Sequence, residues 1–92
     1  MIRTFKHKGL KELFERGATR RVEQNYIERC RQILAVIHAA QNIQQINLPG
    51  YVLHNLKPNR PSIWSVRVQG PWRITFEFRN GDAYAVDLEQ YH

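Results

Sequence analysis

The chain has 92 residues with a formal net charge of +6 at pH 7. That length suits one modest domain, so we expect residues 1–92 to fold as a single unit. Its apolar runs fall short of the roughly 18 residues of a membrane helix, and its first residues lack a signal-peptide core. We therefore expect a soluble cytoplasmic protein with no membrane partner.

The positive charge lies in the first two thirds of the chain. Residues 1–60 carry eleven Lys or Arg and four Asp or Glu, whereas residues 61–92 carry three and four. The N-terminal part is the one expected to face a polyanion, although a solvated basic face explains the charge pattern equally well.

Two helices are predicted in the N-terminal half. Apolar residues at helical spacing predict a helix over residues 8–16, ended by Gly17, and residues 2–5 fit a short strand before it. From about 22 to 44 apolar residues recur every three or four positions, which predicts a longer amphipathic helix. Cys30 falls within this apolar stripe, which favours a buried structural thiol over a catalytic one.

Prolines and a glycine between residues 47 and 62 predict a constrained loop. Beyond it, apolar and polar residues alternate over 64–69, 72–79 and 84–89, which predicts three strands in an antiparallel meander. The fold class is therefore α+β, with two N-terminal helices packed on one face of a small antiparallel sheet.

The strand register follows from the rule that paired residues point to the same face. A two-residue turn at Asn80–Gly81 mixes core and solvent faces. A three-residue loop, residues 80–82, pairs Ile74 with Leu88, so we predict that loop with a glycine bulge.

The same rule at residues 69–71 pairs Arg67 with Arg73 on the solvent face. Such a pair repels by up to about 1 kcal/mol when partly solvated, so folding alone gives no reason for it, whereas a phosphate bound between the two would. The alternative is an ordinary surface ladder in which Glu77 and Glu89 neutralise the arginines. The same face is expected to present Thr75, Glu77, Asp87, Glu89 and Tyr91.

Further chemistry is expected at the C-terminus and in the loop. Tyr91 could stack on a base and His92 titrates near neutral pH, although terminal residues are often frayed and without function. His54 and Lys57 project toward the solvent face of the sheet if Leu53 and Leu56 point inward.

No metal-ligand spacing or common nucleotide motif occurs, so no metal or cofactor is expected. RNA supplies its own nucleophile, the 2′-OH, to acid-base side chains.

Six motifs are spread along the chain: Phe5–Lys11, Leu53–Lys57, Trp64–Val68, Trp72–Phe76, Asn80–Tyr84 and Tyr91-His92. Together they resemble the HigB-type toxins of the RelE superfamily, and the resemblance covers the whole chain. It implies a RelE-like ribonuclease fold and a ribosome-dependent mRNA endonuclease, or mRNA interferase. It also implies a helix-turn-helix antitoxin as the partner of this protein. Contact with operator DNA is implied only through that antitoxin.

The resemblance also implies residue roles. Arg73 stabilises the transition-state phosphate, and the group implied in catalysis is His54, Arg73, Tyr91 and His92. Contact with the substrate is implied for Lys57, Arg60, Arg67, Glu89 and Gln90. Contact with ribosomal RNA is implied for Lys6, Lys8, Arg20 and Arg21.

The chain departs from the family pattern at three places. Gln90 stands where an acidic residue usually precedes the terminal Tyr-His, Pro58 follows Lys57 where glycine is usual, and a later loop glycine is replaced near Pro61. Two other functions therefore stay open. One is a catalytically weakened homologue that binds its antitoxin at an operator or occupies the ribosome, and the other is a general basic RNA-binding module.

Overall fold

The computed structural model describes residues 1–57, 59 and 62–91. Its four strands form one antiparallel sheet in the order β1-β2-β3-β4. The predicted α+β class is confirmed, and a short strand is added inside the predicted loop. The elements are α1 (Lys8–Arg16), α2 (Gln24–Ala39), a 3₁₀ helix (Ile43–Ile46), β1 (His54–Asn55), β2 (Ile63–Gln69), β3 (Trp72–Arg79) and β4 (Asp82–Gln90).

Helix α1 has the predicted bounds because both of its ends are capped. The His7 imidazole accepts the Leu10 N–H at 3.2 Å, and Gly17 adopts φ 80° while its N–H donates to the Leu13 carbonyl. Residues 2–5 form two isolated parallel bridges to β4 instead of a regular strand.

Helix α2 is shorter than predicted. It ends at Ala39, Ala40 is extended, and the Asn42 side chain caps the 3₁₀ helix that follows. The apolar periodicity continues past the true end because Ile43 and Ile46 still pack on the core from the 3₁₀ helix. The prediction of one helix up to residue 44 is therefore wrong.

The β3–β4 turn also differs from its prediction. It is a two-residue turn at Asn80–Gly81, both with positive φ, and Arg79 pairs with Asp82. The extra residue lies in β4 instead, where Ala85 at φ 54° forms part of a bulge. The bulge shifts the alternation by one residue, which restores the predicted pairing of Ile74 with Leu88.

The core lies between the two helices and one face of the sheet. Cys30 is fully buried in it, and burial raises the pKa of its thiol to about 11, in keeping with a structural role. Within the described part of the chain, neither helix is long and apolar enough to cross a bilayer. The core is built mainly from Leu10, Leu13, Ile33, Leu34, Ile37, Val66, Ile74, Phe76 and Val86.

Candidate active site

The sheet face that points away from the helices, here called the open face, carries two rows of polar residues. Each row runs across neighbouring strands, because directly paired residues point to the same side. The predicted pairing of Arg67 with Arg73 is confirmed. The first row is His54, Ser65, Thr75 and Asp87, and the second is Arg67, Arg73 and Glu89.

The Arg73 guanidinium is held by two acceptors. Its Nε donates to Ser65 Oγ at 2.8 Å, and its Nη2 donates to the Val52 carbonyl at 2.7 Å. Partial burial and the facing charge of Arg67 lower the pKa of Arg73, whereas Tyr91 acts in the opposite direction. The side chain is thus fixed in orientation, and its environment favours the approach of a negative charge.

Glu89 lies across from Arg73 but binds another partner. Its carboxylate accepts the Thr75 hydroxyl at 2.5 Å. The neighbouring Tyr91 has a raised pKa, chiefly through partial burial and then through the charge of Glu89, while Arg73 lowers it. The Tyr91 phenol therefore stays protonated at neutral pH.

A groove of about 270 Å³ runs along the open face beside these residues. Lys57 lies in it, as predicted, but the predicted anchoring of the loop by two inward leucines holds only for Leu53, which packs against the core, since Leu56 itself lines the groove. Lys6 also lies in the groove, although the family resemblance implied a contact with ribosomal RNA for it. The polar residues of the groove are Lys6, Lys57, Thr75, Glu77, Asp87, Glu89 and Tyr91.

The remaining predicted residues lie elsewhere. Gln90 is exposed and pairs with Trp72, so it has the opposite parity to Glu89. Lys8 and Arg20 are exposed on the N-terminal side, where Arg21 pairs with Glu12 at 3.4 Å. Arg60 and His92 fall outside the described residues.

Sequence reasoning missed two residues that orient Arg73. Ser65 could have been predicted from the sequence, because it lies two residues from Arg67 in β2 and its side chain therefore points to the same face. Val52 had none, since it acts through its main-chain carbonyl. No three His, Cys, Asp or Glu side chains are grouped as metal ligands would be among residues 1–57, 59 and 62–91.

The fold and the open face define a small α+β protein whose paired arginines suit an anionic ligand. Residues 3–92 match the family model of the RelE-like HigB toxins of type II toxin-antitoxin systems. The chain is also 48% identical over 92 residues, covering all of both chains, to the endoribonuclease HigB of Proteus vulgaris. It therefore belongs to the HigB family of RelE-like toxins.

Proposed function

We propose that this toxin is a cytoplasmic endoribonuclease that cleaves mRNA on the ribosome without a metal ion. The observation that carries the proposal is the fixed guanidinium of Arg73 beside the groove. Two of the five N–H donors of an arginine are used by Ser65 and Val52, which leaves three for a phosphate.

The reaction we propose is attack of a ribose 2′-OH on the adjacent phosphorus. Negative charge develops on the phosphate oxygens, and a donor that is already oriented stabilises this charge without reorganising during the reaction. Arg73 supplies that donor. Arg67, which is exposed and directly across the strand pair, and Lys57 in the groove hold the RNA backbone.

The acid-base groups are assigned to the two histidines of the family motif. His54 starts the first row of the open face and accepts the 2′-OH proton, and His92 donates a proton to the leaving 5′-oxygen. Tyr91, which is 40% exposed at the edge of the groove, stacks on a base. The products are a 2′,3′-cyclic phosphate and a 5′-hydroxyl.

Contact with the ribosome is proposed for Lys8, Arg20 and Arg21, which lie outside the groove. Their exposed charges give affinity for ribosomal RNA without reading its sequence. The proposed inhibitor is a helix-turn-helix antitoxin, which also brings the toxin to operator DNA.

Cleavage of labelled mRNA on programmed ribosomes tests the function. We expect 2′,3′-cyclic phosphate ends and cleavage that persists in EDTA at a level that leaves ribosomes assembled. Naked mRNA of the same sequence is the matched control and should be cut far more slowly. Products with 5′-phosphate ends, or cleavage of naked RNA only after a divalent ion is added, would contradict the mechanism.

A weakened homologue that acts by binding its antitoxin is the second candidate. It is favoured by Gln90, an uncharged and exposed residue where the family pattern has an acidic one. Induction of the toxin separates the two, because an active nuclease arrests growth and co-expression of the antitoxin reverses the arrest.

A further inference from the structure

Three consecutive carbonyls of the loop before β1 are tied to three different parts of the protein. The Gly50 carbonyl accepts Arg29 Nη2 at 2.8 Å, and the Tyr51 carbonyl accepts the Arg67 main-chain N–H at 2.8 Å. The Val52 carbonyl accepts Arg73 Nη2 at 2.7 Å. The segment Gly50–Val52 therefore links helix α2 and strand β2 to the arginine of the candidate active site.

Arg29 of helix α2 makes further contacts with the segment Gly50–Val52 and with strand β2. Besides Gly50 it also donates to the Arg67 carbonyl at 3.2 Å, and its guanidinium lies 4.6 Å from the centre of the buried Tyr51 ring. One planar guanidinium thus joins the loop to β2 with two donors and a stacked face. Both bonds leave Nη2, so a lysine ammonium could supply the donors, but it lacks the planar face that lies over the Tyr51 ring.

The conformation of Val52 shows that the segment depends on these bonds. Val52 has φ 48°, which is a rare backbone conformation for a β-branched residue. Its side chain is 53% exposed, so burial gives little reason for that conformation. Such a residue keeps a disfavoured φ only where its surroundings impose it, and here the bound carbonyls of Gly50, Tyr51 and Val52 do so.

We propose that Arg29 is a positioning residue that acts on Arg73 through the segment Gly50–Val52, a role that rests on the proposed function of Arg73 in phosphate cleavage. Without Arg29, Val52 relaxes toward negative φ and its carbonyl turns away. Arg73 then keeps Ser65 as an acceptor but loses the second one that fixes its plane.

The chain offers a matched control on the same helix. Arg31 also donates to a glycine carbonyl, that of Gly17 at 2.9 Å, but at the end of α1. The variants Arg29→Ala and Arg31→Ala therefore remove the same side chain and charge from α2, and each removes a bond to a glycine carbonyl. Arg31→Ala also removes an ion pair with Glu28 at 3.0 Å, whereas Arg29→Ala also removes the Arg67 bond and the Tyr51 contact. The difference that the experiment uses is whether the glycine carbonyl lies in the segment that leads to Arg73.

The first measurement is single-turnover cleavage of ribosome-bound mRNA. We expect Arg29→Ala to lower the maximal rate by about 10- to 100-fold with little change in the half-saturating concentration, because misplacing a catalytic group costs rate more than binding. The maximal rate of Arg29→Lys should lie between those of the wild type and Arg29→Ala, and the rate of Arg31→Ala should match that of the wild type.

The second measurement needs no RNA. The Nη2–H of Arg73, which donates to the Val52 carbonyl, gives a ¹⁵N-resolved NMR signal assigned by its loss in Arg73→Ala, and its exchange with water reports whether that bond is held. We expect faster exchange in Arg29→Ala and not in Arg31→Ala. A glycine adopts positive φ freely, so adding Val52→Gly to Arg29→Ala should restore part of the rate and slow the exchange again.

The outcomes separate the positioning role from the proposed function. Equal exchange and equal cleavage in Arg29→Ala and Arg31→Ala would overturn the positioning role. Faster exchange in Arg29→Ala alone, in a protein that cleaves no RNA even as wild type, would support positioning and refute the nuclease. If Arg29→Ala does not fold, Arg29→Met decides, because it keeps the aliphatic side chain but donates no hydrogen bond, and wild-type exchange and rate in that variant would overturn the proposal.

Discussion

The open face has two halves of opposite charge. The cationic half is the β2–β3 pair with Arg67 and Arg73. The acidic half is the β3–β4 pair with Glu77, Asp87 and Glu89, which lines the groove together with Lys6 and Lys57 from outside the two strands. Arg73 and Glu89 face each other across the boundary, yet Arg73 binds Ser65 and Val52 while Glu89 binds Thr75. Each charge is thus oriented by a neutral partner. This differs from the surface ladder, in which Glu89 would neutralise Arg73.

The largest expected effect is in the cationic half. Arg73→Ala should lower the cleavage rate by about 10²- to 10³-fold, the usual loss when an oriented donor to a developing oxyanion is removed. The fold should persist, because the side chain lies on the open face outside the core. Single-turnover cleavage and circular dichroism measure the two effects.

Arg67→Ala is the matched control for this variant, since Arg67 lies directly across from Arg73 and is exposed. It should weaken binding and make the salt dependence of binding shallower, because one phosphate contact is removed, while the maximal single-turnover rate should change little. A toxin carrying Arg73→Ala that still arrests growth like the wild type would show that the cationic half does not stabilise the transition state.

In the acidic half, the smaller effect is expected at Glu89. Glu89→Gln should lower the cleavage rate by about 10-fold, since the carboxylate that orients Thr75 and faces Tyr91 is lost. Gln90→Asp should be near neutral, because Gln90 has the opposite parity to Glu89 and is exposed. Single-turnover rates of both variants decide, and an increase with Gln90→Asp would show that the acidic position of the family motif is vacant in this chain.

The pKa of Tyr91 depends on charges in both halves of the open face, so its titration probes the boundary between Arg73 and Glu89. Its pKa is raised by burial and by Glu89 and is lowered by Arg73. We therefore expect Glu89→Gln to lower the pKa of Tyr91 and Arg73→Ala to raise it. Ultraviolet titration against Tyr91→Phe measures this, and shifts of the same sign in both variants would contradict the separation of the two charges.

The raised pKa of Tyr91 also determines how the contribution of this residue to the free energy of unfolding changes with pH. A folded-state pKa above the unfolded one means that the unfolded chain loses its Tyr91 proton first as pH rises. The contribution of Tyr91 to stability is therefore fully present below the unfolded pKa and is lost as pH rises through the folded one. In Tyr91→Phe this alkaline loss should be smaller.

The sequence could predict which residues share a face, because alternation in a strand carries that information directly. It paired Arg67 with Arg73 and Ile74 with Leu88 for this reason. It could not separate a three-residue loop from a two-residue turn followed by a bulge at Ala85, since both give the same register farther along the strands.

The orientation of Arg73 was beyond sequence reasoning for a different reason. A main-chain carbonyl such as that of Val52 has no residue-specific signal, and only the folded backbone shows where it points. The role of Arg29 is hidden in the same way, because an arginine on an amphipathic helix looks like any solvated charge.

The smallest expected effect concerns the backbone at two non-glycine residues with positive φ, one near each half of the open face. These are Val52 at 48° beside the cationic half and Ala85 at 54° in the acidic groove. At positive φ an L-residue costs about 1–2 kcal/mol, whereas glycine elsewhere loses about 0.5–1 kcal/mol to entropy. We therefore expect Val52→Gly to be more stable than Val52→Ala, and Ala85→Gly more stable than the wild type, each by about 0.5–1 kcal/mol.

The Val52 pair is compared with alanine because both variants lose the same half-exposed methyl groups, so their difference reports the backbone alone. Ala35→Gly, at an exposed position inside α2, is the control and should destabilise by about 1 kcal/mol, since glycine there only loosens a helix. Urea unfolding measures all of these variants. If Val52→Gly proves less stable than Val52→Ala, as Ala35→Gly is expected to be against the wild type, the loop does not hold positive φ in solution. Arg73 would then lack the fixed carbonyl that distinguishes it from Arg67.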